Sequence, residues 1–242
     1  MGKIVSSNGV AVDAKNIETV CNWPVPKSRK ELESFLGFAN YHCDHVERYA
    51  ALTELLHELA SEKVDFVRWE EHQGAFDDLG EALTTPPILA YPDPESTFIL
   101  DTDASDKTIG AELSQIQNDK VVTICYASKV LTPAQRKYCT TRKELLAIVA
   151  FTRQFRHYLL GNHFILRTDH NSLKWIMNLR NNEGQLTRWL EELSQYNMSI
   201  QHRPGNKHIN ADALSRIPDR EEQCCHYKAS IPLENLPCGG CR

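Results

Sequence analysis

Four acidic residues in the second half of the chain could together hold divalent cations. They are Asp103 in LDTDAS, Glu144 in RKELLAIVA, Asp169 in FILRTDH and Asp212 in NADALSR. Magnesium prefers hard oxygen ligands, and two such ions about 3.5–4 Å apart can activate a water molecule and offset the charge that develops when a phosphodiester is hydrolysed. If these carboxylates converge, the chain has the ligands for that chemistry.

Each of these residues also has an ordinary structural interpretation. Asp103 and Asp169 could be turn residues, Glu144 could lie on a helix surface, and Asp212 could be favoured by the positive end of a helix dipole. However, the apolar residues before Asp103 indicate a buried strand, and the apolar run after Glu144 indicates a buried helix face on which a charge needs a partner. Carboxylates at the ends of strands in one sheet would lie at one edge.

Asp101 is the main rival to Asp103. The two share a strand face because side-chain direction repeats every two residues along a strand. The choice between them as a metal ligand stays open on spacing alone. Asp106 and His170 are interpreted as turn and rim residues.

The elements around these residues predict an α/β domain over residues 95–217. Short β-rich runs at FILDTDAS, TIGAELSQI and VVTICYAS suggest antiparallel strands, and Thr132-Pro133 begins a long helical pattern that ends at Gly161. A fourth strand is predicted at 163–169, helical segments at 172–179 and 185–195, a fifth strand at 198–203 and a short helix near 209–215. The expected architecture is a mixed five-stranded sheet flanked by helices.

Residues 1–94 predict a small, mainly helical α+β domain. A hairpin is expected at 3–12, where Asn8-Gly9 would supply the two positive φ angles of a tight turn. Helices are expected at 14–22, in the amphipathic stretch after Ser28, and at 71–84. A proline-marked connector places the domain boundary near residue 95, and residues 218–242 lack periodicity and are interpreted as a tail or linker.

The net charge of −5 hides a strong asymmetry along the chain. Residues 1–128 hold 10 Lys and Arg against 22 Asp and Glu, whereas residues 129–216 hold 14 against 6. The basic segment is either a phosphate-binding face or a solvated helical surface. Its candidate phosphate contacts are Arg136, Lys137, Arg142, Lys143, Arg153, Arg156 and Lys174, with Tyr138 and Trp175 as candidate stacking or core residues.

Hydropathy and cysteine usage predict the cellular compartment of the protein. The chain contains no apolar run long enough to span a membrane and its N-terminus lacks the apolar core of a secretory signal, so we expect a cytoplasmic or nuclear protein without a membrane partner. Four scattered cysteines fit reduced thiols. The tail residues Cys224, Cys225, His226, Cys238 and Cys241 form either a zinc site or a thiol-bearing linker.

The four acidic motifs closely resemble the ribonuclease H domain of gypsy-type LTR retrotransposon Pol polyproteins, in the expected order over roughly residues 96–217. The upstream segments VSSNGVAVDAKNIETVCNWPVPKSRKELESFLGFANYH and FVRWEEHQGAFDDLGEALTTPPILAYPDP resemble the reverse transcriptase thumb and connection region of the same polyproteins. No YxDD-like polymerase motif occurs. The resemblance implies an RNA–DNA hybrid endonuclease without polymerase activity, and a context that includes the polymerase and integrase portions of Pol.

The resemblance also implies residue roles. Asp103, Glu144, Asp169 and Asp212 match the family's acidic positions, which hold two Mg²⁺ ions, with Mn²⁺ as a possible substitute. His202 lies ten residues before Asp212, where related nucleases place a histidine that aids proton transfer, and imidazoles ordinarily titrate near neutral pH. The alternative is a strand-end histidine without a role.

The chain departs from the family pattern at two places. Tyr41-His42-Cys43-Asp44 stands where the family commonly has a Tyr-Arg pair, and His208 stands where Asn is frequent. Two alternative functions stay open beside the nuclease: a catalytically inactive transposon-derived remnant that binds nucleic acid or protein, and an inert polyprotein fragment.

Overall fold

A computed structural model of the 242-residue chain describes residues 2–67, 70–168 and 184–202. The first part contains strands β1 (Lys3–Ser6) and β2 (Gly9–Val12), helices α1 (Ala14–Cys21) and α2 (Arg29–Tyr41), a short 3-10 turn (Cys43–His45), and helices α3 (Tyr49–Ala60) and α4 (Glu70–Thr84). The second part contains β3 (Phe98–Ala104), β4 (Thr108–Gln117), β5 (Lys120–Val130), α5 (Pro133–Arg136), α6 (Thr140–Gln154), α7 (Arg156–Leu159), β6 (His163–Thr168), α8 (Gln185–Leu193) and β7 (Asn197–His202).

The N-terminal hairpin forms where the sequence predicts it, but for a different reason. β1 and β2 pair antiparallel, and within the described residues Gly9 has a positive φ of 128° whereas Asn8 does not. A Cβ atom at Gly9 would lie 2.2 Å from the carbonyl oxygen of Leu89. Glycine is therefore needed for the close approach of two backbone segments, since Val10 and Leu89 exchange hydrogen bonds of 2.8 and 2.9 Å.

The mixed five-stranded sheet predicted from the sequence is confirmed. Its strand order is β5-β4-β3-β6-β7, with β4 and β5 antiparallel and with β3, β6 and β7 parallel to one another. Asn118 and Asp119, both with positive φ, form the two-residue turn between β4 and β5. The parallel strands are connected through helical segments, as parallel pairing requires.

The single long helix expected from Thr132 to Leu159 is wrong. The structure divides this segment into α5, α6 and α7 because Cys139 has an extended backbone and Phe155 leaves the helical region. Thr132 and Gln135 close a capping box at the start of α5, so the predicted N-terminal signal marks a four-residue helix instead. The extended residue turns the chain before α6 begins.

Contacts divide the chain into two compact units that are not continuous in sequence. The first comprises residues up to Thr97 together with Lys107–Val130, and the second comprises Phe98–Asp106 and residues from Leu131 onward. Phe35 is fully buried in the first unit and packs its ring against Phe76 and Trp23. In the second unit, fully buried core residues come from β3, α6, α7 and β6: Leu100, Leu145, Ile148, Phe151, Leu159, Phe164 and Leu166.

Candidate active site

The parallel strands of the second unit end at one edge of the sheet. The register pairs Phe98 with Phe164 and Asp101 with Arg167, and it pairs Thr168 on β6 with His202 on β7. Asp103 is the penultimate residue of β3 and is exposed, while His202 is the last residue of β7 and is half-buried. The fold therefore places both predicted residues at the carboxyl ends of parallel strands, β3 and β7, which are separated by β6. Ligands commonly bind at this edge of α/β sheets.

Glu144 is a buried carboxylate of the same unit. It lies on α6, which packs against β3, and only 3% of its surface is exposed. Its Oε2 atom is shielded from solvent. A carboxylate in such surroundings is costly unless hydrogen bonds or a cation offset its charge. The helix that carries Glu144 thus packs against the strand that carries Asp103.

Asp101, the rival ligand, is engaged elsewhere. Its Oδ2 accepts a short hydrogen bond from the guanidinium of Arg167, its partner in the β3–β6 register, and both side chains are mostly buried. Opposite charges on paired strand positions attract each other. This ion pair occupies the Asp101 carboxylate, which favours Asp103 as the candidate metal ligand.

An ion pair links the Glu144 helix to the residues that follow β3. Lys143, immediately before Glu144, donates from Nζ to Asp106 Oδ1 at 2.6 Å. The Lys143 side chain is 8% exposed and that of Asp106 is 98% exposed. Lys143 was predicted to contact phosphate, but its ammonium is buried against Asp106, so that prediction is wrong in this structure.

Arg142 is also withdrawn from solvent. Its guanidinium lies 4.0 Å from the centroid of the Tyr138 ring and 5.9 Å from that of Trp189, and it donates a short hydrogen bond to Gln185 Oε1. Tyr138 is therefore a packing residue, and the predicted phosphate contact at Arg142 is replaced by a cation–π arrangement that joins α6 to α8. Trp189 was not singled out from the sequence, although the amphipathic pattern of residues 185–195 contains it.

Other predicted phosphate contacts have mixed environments. Arg153 forms a two-point ion pair with Glu192 at 2.8 and 2.6 Å, which raises the pKa of Arg153 and lowers that of Glu192 through the shared hydrogen bonds. Arg136 donates from Nε to the carbonyl of Leu131. Lys137 and Arg156 are exposed. Charge alone therefore overestimated the number of cations that face solvent.

Several predicted residues lie outside the described residues: Asp169, His170, Lys174, Trp175, His208, Asp212, and the tail residues Cys224, Cys225, His226, Cys238 and Cys241. In the described ranges, no group of three or more His, Cys, Asp or Glu side chains is arranged to hold a metal ion. Asp103 and Glu144 still have the hard oxygen donors that Mg²⁺ and Mn²⁺ prefer. No helix between residues 2 and 202, apart from the undescribed gaps, is long and apolar enough to cross a bilayer.

The sequence comparisons agree with this geometry. Residues 93–196 match the RNase H-like domain found in reverse transcriptase. This chain carries an RNase H-like domain of the reverse transcriptase type. It is 35% identical over 223 residues to the retrovirus-related Pol polyprotein from transposon 297 of Drosophila melanogaster, covering 91% of this chain and 21% of that protein. It is 37% identical over 228 residues to the transposon Tf2-3 polyprotein of Schizosaccharomyces pombe, covering 92% of this chain and 17% of that protein.

The predicted relationship to retrotransposon Pol polyproteins is thus confirmed, and the chain spans about a fifth of the length of these relatives. Solved structures share the fold of this chain over most of its length. The foamy viral protease-reverse transcriptase in complex with RNA/DNA hybrid superposes with a TM-score of 0.72 at 19% identity, over 96% of this chain and 32% of that one. The foamy viral protease-reverse transcriptase dRH in complex with double-stranded DNA superposes with a TM-score of 0.68 at 20% identity, over 90% of this chain and 38% of that one.

Proposed function

We propose that this chain is a ribonuclease H that hydrolyses the RNA strand of RNA–DNA hybrids with the help of two Mg²⁺ ions. The observation that supports the proposal is the packing of α6, which carries the buried Glu144, against β3, which carries the exposed Asp103, in an RNase H-like domain. The relatives' family and the hybrid-bound foamy viral fold neighbour support this choice of substrate.

The proposed metal ligands are Asp103, Glu144, Asp169 and Asp212. Asp169 lies outside the described residues and is assigned by its motif, in which it follows Thr168, the last residue of β6. Asp212 is assigned by its motif in the sequence. The bound ions would supply charge compensation on the entering and leaving oxygens of the scissile phosphodiester.

His202 is the proposed proton carrier. It ends β7 opposite Thr168, the last residue of β6, and it is only half-buried. An imidazole at the end of this strand is only partly shielded from solvent, and imidazoles can donate a proton to a leaving 3′ oxygen. Glu144 and the aspartates would hold the ions and orient the attacking water.

Selection of RNA–DNA hybrids would depend on shape and on the 2′-hydroxyl, because these features distinguish the RNA strand independently of base sequence. The proposed domain arrangement is a thumb and connection-like region over 1–94, an RNase H domain over 95–217 and a tail over 218–242. Polymerase activity is not expected from this chain, and its proposed partners are the polymerase and integrase portions of a Pol polyprotein.

The decisive experiment compares the full chain with an Asp103→Asn variant on a labelled RNA–DNA duplex. Asparagine keeps the size of the side chain but removes the charge that a hard cation needs. We expect Mg²⁺-dependent cleavage to fall by more than about a hundredfold, since even residues that merely orient metal ligands typically contribute 10- to 100-fold. Circular dichroism and thermal melting should show an unchanged fold.

Asp119→Asn is the matched control. Asp119 is exposed in the β4–β5 turn with a φ of 61°, a conformation that asparagine accepts, so the same chemical change should leave cleavage intact. EDTA should abolish cleavage by the unmodified chain. Full activity in folded Asp103→Asn would refute the assignment, while an unmodified chain that binds the hybrid but does not cut it with Mg²⁺ or Mn²⁺ would support the inactive remnant.

A further inference from the structure

The Lys143–Asp106 ion pair joins the two segments that carry the described carboxylates. Asp106 comes three residues after Asp103, just beyond the end of β3, and Lys143 comes immediately before Glu144 on α6. The two charged atoms are 2.6 Å apart. One residue of the pair is therefore fixed to the Asp103 segment and the other to the Glu144 turn.

The two partners differ in their surroundings. The Lys143 side chain is almost fully buried, whereas Asp106 faces solvent. A buried ammonium without a counter-charge is strongly unfavourable, so the ion pair with Asp106 stabilises the buried Lys143. Asp106, in contrast, gains little from the pair and would be well solvated without it. The contact therefore restrains the backbone after β3 more than it lowers the energy of Asp106.

We propose that Lys143 and Asp106 are positioning residues that set the separation of the Asp103 and Glu144 carboxylates for binding divalent cations. This inference rests on the proposed function, because it deepens the same site. The two residues touch neither metal nor substrate, and they act through the segments that carry the ligands. Outer partners that orient metal ligands typically contribute 10- to 100-fold to metal affinity or activity.

The test uses the full chain with Asp106→Asn and Lys143→Met, together with Lys143→Arg, which keeps the charge, and Asp119→Asn as the control. Mn²⁺ binding is measured without nucleic acid from the electron paramagnetic resonance signal of free Mn²⁺. Cleavage of the hybrid is measured as a function of Mg²⁺ concentration. Asp106→Asn should weaken Mn²⁺ binding by about 10- to 100-fold and raise the half-saturating Mg²⁺ concentration, with the KM for the hybrid within about twofold.

Further outcomes separate positioning from simple stability. Lys143→Arg should recover much of the Mn²⁺ affinity, and the double variant should bind Mn²⁺ no more weakly than Lys143→Met alone, because the two substitutions remove one interaction. A lowered melting temperature with unchanged Mn²⁺ affinity and Mg²⁺ dependence in Asp106→Asn would overturn the inference. If the unmodified chain neither binds Mn²⁺ nor cleaves the hybrid, the proposed function fails, and this inference fails with it.

Discussion

The Arg142 guanidinium is stacked on an aromatic ring and the residue is only 9% exposed, although its sequence neighbourhood suggests a phosphate contact. Arginine suits this environment because its planar cation is weakly hydrated and can stack on Tyr138 while it donates to Gln185. In the structure, Arg142 connects the first turn of α6 to α8, two residues before Glu144. Residue type was therefore a poor guide to exposure, and a buried partner decided the role.

Arg142→Ala should lower the free energy of unfolding by about 2 kcal/mol, because it removes a stacked cation and a charge-assisted hydrogen bond. Arg142→Lys should recover only part of this loss, since an ammonium cannot reproduce the planar stack. Urea denaturation measures both, with Arg156→Ala as an exposed control. An Arg142→Ala variant of full stability, with weaker hybrid binding and a shallower salt dependence, would restore Arg142 as a phosphate contact.

At the scale of elements, the sequence predicted the sheet better than the helices that surround it. Strand runs such as FILDTDAS are bounded by turn residues, and their alternation and apolar content leave little choice of structure. Helical periodicity, in contrast, continues across residues 132–159, because the break at Cys139 is a change of backbone direction between two segments of similar pattern. Contacts such as Tyr138 with Gln185, 47 positions apart in the chain, favour that break.

In the candidate site, too, local features were predicted from the sequence and long-range contacts were not. Motifs predicted Asp103 and Glu144, and strand ends predicted a shared edge, because these features are local in sequence. The pairing of Lys143 with Asp106 joins residues 37 positions apart, and neither residue type nor spacing indicated it. Asp106 alone is typical of a turn residue and Lys143 alone of a phosphate contact, because the sequence does not show that the two residues meet.

The capping box that begins α5 is testable as an element. Thr132 Oγ1 accepts from the backbone of Gln135 at 3.3 Å, and Gln135 Oε1 accepts from the backbone of Thr132 at 2.9 Å. Thr132→Ala should lower the free energy of unfolding by about 1 kcal/mol, while Thr132→Ser should keep it, because serine caps at least as well as threonine. Equal denaturation midpoints for the alanine and serine variants would show that the cap contributes no stability.

At the scale of the whole molecule, the charge asymmetry is reduced by internal pairing. The basic segment 129–216 includes Arg153, Arg167 and Lys143, which pair with Glu192, Asp101 and Asp106. The remaining surface charge in the described part is smaller than the sequence count suggests. Any phosphate-binding face would then depend on exposed cations such as Lys137 and Arg156.

The first unit contains a histidine pair that should make the protein sensitive to acid. His42 lies in the segment where the chain departs from the family pattern, and His45 directly follows that segment. Each of the two histidines is 1% exposed. Burial lowers the pKa of both, and the Lys3 charge lowers them further, while Asp44 acts in the opposite direction. The rings of Phe38 and Tyr41 lie within 5.3 Å of the His42 ring, so His42 is a packed residue and not a substitute for a surface arginine.

The sign of the pH dependence follows from these shifts. Below the ordinary histidine pKa of 6.5, the unfolded chain binds protons at these positions, while the folded chain keeps both rings neutral to lower pH. Stability should therefore fall as the pH drops from 7 to 5. Carboxylates with lowered pKa values, Asp44 and Glu192, lose their contribution mainly at more acidic pH, because their ordinary values are 3.8 and 4.5. Between pH 7 and 5, the change in the free energy of unfolding therefore comes chiefly from histidines.

Urea denaturation of the full chain at pH 7, 6 and 5 measures this effect. The double variant His42→Gln/His45→Gln should be less stable at pH 7, because it loses packed rings, but its stability should change much less between pH 7 and 5. His57→Gln is the matched control on α3: burial of part of the ring also lowers the pKa of His57, yet the residue is exposed, so solvent screens its contribution. A double variant that keeps the full slope of the unmodified chain would place the acid sensitivity in other groups, because glutamine does not titrate in this range.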